Sequence, residues 1–163
     1  MKLGELYKLV IKLGLQKDPR KGRPKVKSFP DSEILNGDLS ADIKTVMIGI
    51  DMEAGEILLA DRLRSAGKAI DLVISHHPEG RAYASLHNVM WLQLEVLKKA
   101  GVDERTAFKF LEERIREVER RVLPQNHLRA VDAARLLNMP FMCMHTPADN
   151  HVFDFLTNLA KEK

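Results

Sequence analysis

The chain has 163 residues, 45% of them apolar and 30% charged, with a formal net charge of +3 at pH 7. That length suits one domain with a core of its own, and so mild a charge does not argue for nucleic-acid or membrane binding. A single cysteine, Cys143, excludes an internal disulfide framework, and no uncharged apolar segment is long enough to span a membrane.

In chain order, Leu3, Leu6, Leu9, Val10 and Leu13 recur on one helical face and predict a helix over residues 3–15 that ends near Gly14. Lys8 and Lys12 interrupt this stretch, so it does not read as a signal peptide, and the expected location is the cytoplasm. Residues 17–27 are basic and rich in proline and glycine; with no aromatic residue interleaved for base stacking, they read as a solvated connection in preference to a phosphate-attracting arm. Residues 45–50 are uncharged and β-branched, the pattern of a central strand. Asp51 follows, placed to cap the next helix or to orient a ligand, with the cap preferred. That helix is expected over 53–66, with Gly67 as its C-cap, and leads to a second strand over 69–74. Strand, helix and strand in this order make a βαβ unit with parallel strands.

From Pro78 the pattern turns helical. One helix is expected over 83–99. Asp103 caps a second that turns Ala107, Phe108, Leu111, Ile115, Val118 and Val122 inward, and Asn126 caps a third that turns Ala130, Ala133, Ala134 and Leu137 inward. A strand over 141–144 precedes a last amphipathic helix carrying Val152, Phe153, Leu156 and Leu159. The expected fold is a single α/β domain over 1–163, a mostly parallel sheet with flanking helices.

Two strand ends carry the chemistry. The run Asp71-Leu-Val-Ile-Ser-His76-His77-Pro78 is an apolar strand that stops at two imidazoles and a proline corner. Ligands bind at the carboxyl ends of parallel strands, and imidazole is the commonest side-chain ligand of zinc-like metals. The later run His145-Thr-Pro-Ala-Asp149 repeats this logic and adds a carboxylate. If the two strands are neighbours, His76, His77, His145 and Asp149 meet. Imidazole with carboxylate suits zinc, iron, manganese or nickel, and a metal pair can generate a nucleophilic hydroxide near neutral pH. The plainer readings are Asp149 as a helix cap and His145 as a hydrogen-bonded core residue. His87 and His127, near helix starts, are additional ligands, supports behind them, or neither; His151 reads as surface and Cys143 as a small buried apolar group. The chain has no dinucleotide fingerprint, Walker loop or nucleophile elbow.

The order Ile48-Gly-Ile-Asp51, then Asp71 to Pro78, then His145 to Asp149 resembles the NGG-interacting-factor-3-like family from Thr45 onward. The resemblance implies a dinuclear-metal protein, and many members are described as type 2 GTP cyclohydrolase I or as metal-dependent hydrolases. It implies that His76 and His77 ligate metal, that Asp149 sits between two divalent ions, and that His145 stands behind them. Thr146-Pro-Ala replaces the family's Thr-Asn-Leu at unchanged spacing. Residues 79–139 read as a helical insertion between the two motif strands. The family is expected to continue into a second half that completes the metal set, and to assemble as ring-like homo-oligomers around a small-molecule site of unspecified substrate. The competing expectation is a non-catalytic interaction or regulatory module on the same fold.

Overall fold

In the computed structural model, which describes residues 1–20 and 26–162, four strands form one sheet: β1 (Ser32–Asn36), β2 (Val46–Gly49), β3 (Leu72–Ser75) and β4 (Phe141–Met144). Their order is β1-β4-β3-β2. β2 with β3 and β3 with β4 run parallel, and β1 runs antiparallel to β4. The helices are α1 (Leu3–Gln16), α2 (Ala54–Ser65), α3 (Gly80–Ala84), α4 (Leu86–Val89), α5 (Leu92–Lys99), α6 (Glu104–Val122), α7 (Arg129–Leu136) and α8 (Thr146–Lys161). None of the described helices is long and apolar enough to cross a membrane.

β3 is buried along its whole length, which a strand flanked on both sides and covered on both faces requires. On one face, Val73, Phe141 and Cys143 pack with Ile57 and Ala60 of α2 and Ala130, Val131 and Ala134 of α7. On the other, Leu72, Ile74 and Met142 pack against Leu3, Leu6 and Val10 of α1. The Asp71 carboxylate accepts the Lys44 and Thr45 backbone N–H groups at 2.9 and 2.8 Å, which ties the start of β2 to the start of β3. α2 ends in a left-handed Gly67, and Lys68 N–H donates to the Leu63 carbonyl, the predicted glycine cap.

Several expectations change. The strand expected over 45–50 forms as Val46–Gly49, but β2 lies at the sheet edge: α1 covers β3 and β4 and leaves Val46 and Ile48 exposed. β1, which the pattern did not predict, forms the opposite edge. The single helix expected over 83–99 is three short ones. At the junctions Asn88 N–H donates to the Ser85 carbonyl and Gln93 N–H to the Met90 carbonyl, so tight three-residue turns replace helical bonds. α1 buries Leu3, Ile11 and Gly14, not Leu9 and Leu13, because its contact stripe continues from the sheet onto α8. Gly14 is therefore no cap: a Cβ there would sit 2.6 Å from Pro147 Cα, so the glycine permits close contact of the two helices.

α6 starts at the predicted cap, with the Asp103 carboxylate accepting Thr106 N–H. It buries Ala107, Leu111, Ile115 and Val122, whereas Phe108 is exposed and stacks on Trp91 with ring centroids 5.3 Å apart. α7 is capped at Leu128; Asn126 instead makes a local turn in which its side-chain oxygen accepts Leu128 N–H. The apolar residues Val152, Phe153, Leu156 and Leu159 of α8 are exposed, since α8 meets α1 through Pro147 and Asn150 at Gly14. In the basic segment, residues 21–25 lie outside the described residues. Asp18 and Pro19 are buried, and Arg20 closes a bidentate ion pair with Asp18, so this part is not simply solvated.

Candidate metal centre

β3 and β4 are adjacent and parallel, with Ser75 opposite Cys143, so their carboxyl ends open at one place. Beyond β3 the backbone stays tied to the β2 side. His76 N–H donates to the Gly49 carbonyl and His77 N–H to the Ile50 carbonyl, both at 2.8 Å. Pro78 then turns the chain, and Gly80, at φ 58, leads it into α3. A side chain at Gly80 would meet Val131 at 2.8 Å. Beyond β4, His145 is the N-cap residue of α8 and Pro147 occupies the first turn, where its missing N–H is tolerated. His145 N–H donates to the Ser32 hydroxyl at 3.0 Å. Asp149 follows four residues later on the same helical face. It is therefore not the cap that the sequence also allowed.

These backbone constraints bring three imidazoles together. His76, His77 and His145 each offer a ring nitrogen within 4.8 Å of the others, a group that can hold a metal ion. Their ring centroids stand 5.0 to 5.8 Å apart. The Asp149 carboxylate faces them, with Oδ1 3.5 Å from His76 Nε2 and Oδ2 3.4 Å from His145 Nε2.

Two more carboxylates orient the rings. Asp51 Oδ1 lies 2.6 Å from His77 Nδ1, and Asp31 Oδ2 lies 2.8 Å from His145 Nδ1. A carboxylate only accepts, so in the neutral ring each Nδ1 carries the proton and Nε2 keeps the lone pair, which for His145 faces Asp149. Asp51 thus orients a ring, and Glu53 is the N-cap residue of α2, which reverses the preference for a cap at Asp51. Asp31 was not singled out in the sequence. It is wholly buried and also accepts Thr146 N–H and the Thr146 hydroxyl.

The donor set fits a cation. A neutral His145 would direct its Nε2 lone pair at the Asp149 carboxylate, an unfavourable pairing unless a positive charge lies between them. A proton on the ring is one such charge. Burial pulls the His145 ring down, but the hydrogen bond and charge of Asp31, with the charge of Asp149, outweigh it and hold the ring above its ordinary value. A metal ion satisfies the same electrostatic demand and uses the Nε2 lone pair as a ligand.

The remaining histidines stand apart from the cluster. His87 on α4 has Nε2 3.6 Å from Glu119 of α6, and its Nδ1 is buried without a partner. His127 donates Nε2–H to the Val122 carbonyl at 2.7 Å and meets Tyr83 edge to face. It does line the same cleft as His77 and His145, a polar cavity of about 370 Å³ whose walls also carry Asp51, Glu53, Glu79 and Arg129. Burial pushes the Glu79 carboxyl up to about 7; Glu53 and Asp51 add to this and Arg129 opposes it. His151 is exposed. Cys143 is buried beneath the site, its thiol pushed up to about 11 by burial. It is inert by that measure, as its sequence context suggested.

No protein-family model matches the chain, and no curated protein does. Among solved structures it is similar to a NIF3 superfamily protein from Sphaerobacter thermophilus, with a TM-score of 0.68 and 29% sequence identity over 85% of this chain and 46% of that one. The chain thus spans about half the length of the solved relative it matches. Fold likeness and the ordered pair of histidine-bearing strand ends agree, and the chain is NIF3-like over the 85% of its length that the likeness covers.

Proposed function

We propose that the chain binds divalent transition metal through His76, His77 and Asp149, with His145 as a further ligand, and that the metal-loaded protein is a hydrolase. The observation that carries this reading is the convergence of three imidazoles within 4.8 Å, two of them with Nδ1 against a carboxylate. Imidazole and carboxylate together suit zinc, iron, manganese or nickel. Two ions would be held by the same four donors, Asp149 being the carboxylate that could serve both, as the family resemblance implies. When bound, such ions supply Lewis acidity and make water a stronger nucleophile near neutral pH. Asp51 and Asp31 hold the His77 and His145 rings in the tautomer that presents Nε2. Glu79, which titrates near 7 in the same cleft as His77, is suited to pass a proton between substrate and solvent. The substrate is a small molecule. Homo-oligomeric assembly accompanies the reading through the family resemblance, and a cytoplasmic location through the single cysteine, which suits a reducing compartment.

The test is metal content after loading with zinc, manganese, iron or nickel and removal of free ion. Near-stoichiometric metal is expected, with His76→Ala and His77→Ala losing more of it than His151→Ala. Equal retention in all three variants would show that the metal sits elsewhere.

A further inference from the structure

A second cleft opens on the other side of His145. It is about 420 Å³, within the ordinary range of small-molecule sites. Its walls come mainly from α4 and α5, the short helices that replace the expected continuous one, and from α8. Leu86, Val89, Met90, Val96, Leu97 and Phe153 are among its apolar lining. Among its lining residues only His145 and Asp149 are ionisable, and both belong to the metal cluster. The cavity is thus an apolar slot whose polar end is the candidate reaction centre. His145 and Leu86 also border the polar cleft, so the cluster sits where the two cavities join.

From this arrangement we infer that the α4–α5 cleft is a substrate subsite for an aliphatic chain, which places the group to be hydrolysed against His145 and Asp149. The inference rests on the metal-hydrolase reading and adds the substrate class, a compound with a straight aliphatic portion next to its reactive group. An aliphatic chain fits better than a planar base. The apolar lining is mostly branched and thioether side chains, and Phe153 is its one aromatic ring apart from His145 at the polar end, so the α4 and α5 walls offer no aromatic face for a base to stack on. Met90 adds an adaptable wall that can follow chains of different length. The polar cleft, with Arg129, Glu53 and Gln125, is left for the remainder of the substrate.

A homologous series of n-alkyl hydroxamic acids tests this. The head group is neutral without metal and chelates when metal is present. Trp91, the chain's only tryptophan, lies between the cleft residues Met90 and Leu92 and reports binding by its emission. In metal-free protein, affinity is expected to rise about fourfold per added methylene until the slot is full. Metal loading should tighten every member by a common factor without changing that increment. Val96→Asp, and the milder Leu97→Gln, should abolish the increment, whereas Leu159→Asp on the exposed face of α8 should leave it intact. Circular dichroism identifies any variant that has not folded. An affinity independent of chain length, or an increment that survives in both folded cleft variants or vanishes in Leu159→Asp, overturns the subsite. An increment that persists while metal loading changes nothing leaves the subsite standing and overturns the metal reading instead. A loading effect without an increment does the reverse.

Discussion

The carboxylate of Asp31 has no solvent exposure, yet it holds Nδ1 of His145 at 2.8 Å across 114 residues of chain. It accepts from Thr146 as well, both N–H and hydroxyl, so one buried anion organises the start of α8 and the orientation of one imidazole of the histidine cluster. A buried charge persists only where its partners compensate the lost solvation. At the end of β4 that compensation and the orientation of His145 come from the same hydrogen bonds.

Asp31→Asn tests this directly. The ring, Thr146 N–H and the Thr146 hydroxyl all bond to Oδ2, so the amide oxygen can keep these three donors but no longer carries the charge that strengthens each bond. A destabilisation of about 2–3 kcal/mol is expected, from three buried bonds that each lose their charge assistance. Metal affinity should fall roughly 10- to 100-fold, the usual effect of removing a carboxylate behind a ligating histidine. Chemical denaturation and competitive metal titration measure the two effects; a variant with native metal affinity would show that His145 takes no part in binding.

Asp51→Asn should separate those effects. The His77–Asp51 pair is largely exposed, so its contribution to stability is small, about 0–1 kcal/mol. Orientation of the His77 ring still depends on it. Metal affinity is expected to drop about tenfold or more while the denaturation midpoint scarcely moves. A large loss of stability with unchanged metal affinity would assign Asp51 a structural role.

The contrast between these two aspartates explains what the sequence made legible. His76, His77, His145 and Asp149 were readable because each lies just beyond a short apolar strand and beside a proline corner, signals local in the chain. β4 was readable for the same reason. Asp31 was not: it precedes β1, whose Ser32-Glu-Ile-Leu-Asn36 mixes polar and apolar residues as an edge strand does, and its partner is distant in sequence. Periodicity found that α8 is amphipathic but could not say what, if anything, covers Phe153 and Leu156. Composition likewise made 45–50 a strand without revealing that α1 stops short of it. The break of residues 83–99 into three helices, which creates the apolar cleft, has no glycine or proline to announce it.

Gly14→Ala bears on the α1–α8 contact that supports the His145 corner. Alanine is the better helix former by roughly 1 kcal/mol, so an unconstrained site would gain stability. Here the new methyl would stand 2.6 Å from Pro147 Cα and 3.2 Å from the Phe29 ring, and backbone cannot yield as a flexible side chain would. Overpacking of this kind outweighs propensity, and a net loss of about 1–2 kcal/mol is expected. Because Pro147 lies two residues from His145, metal affinity should fall as well. A stabilised variant in thermal unfolding would show that the two helices separate easily.

The last expectation concerns acid. Asp18 is buried at the end of α1; burial alone would raise its carboxyl, but the Arg20 hydrogen bonds and charge, with Asn150, more than reverse this and hold it below its ordinary 3.8. In the unfolded chain the group takes up a proton near 3.8, while in the fold it stays ionised to lower pH. Its contribution to stability is therefore complete above that value and is lost as pH falls through the folded value. Asp18→Asn should be less stable than the parent at neutral pH, and the gap should close in acid. Thermal unfolding of both proteins from about pH 7 down to about pH 2, without metal, measures the gap. A difference that stays constant, or widens as acid is added, would mean that the Asp18–Arg20 pair does not hold the ionised form in the fold.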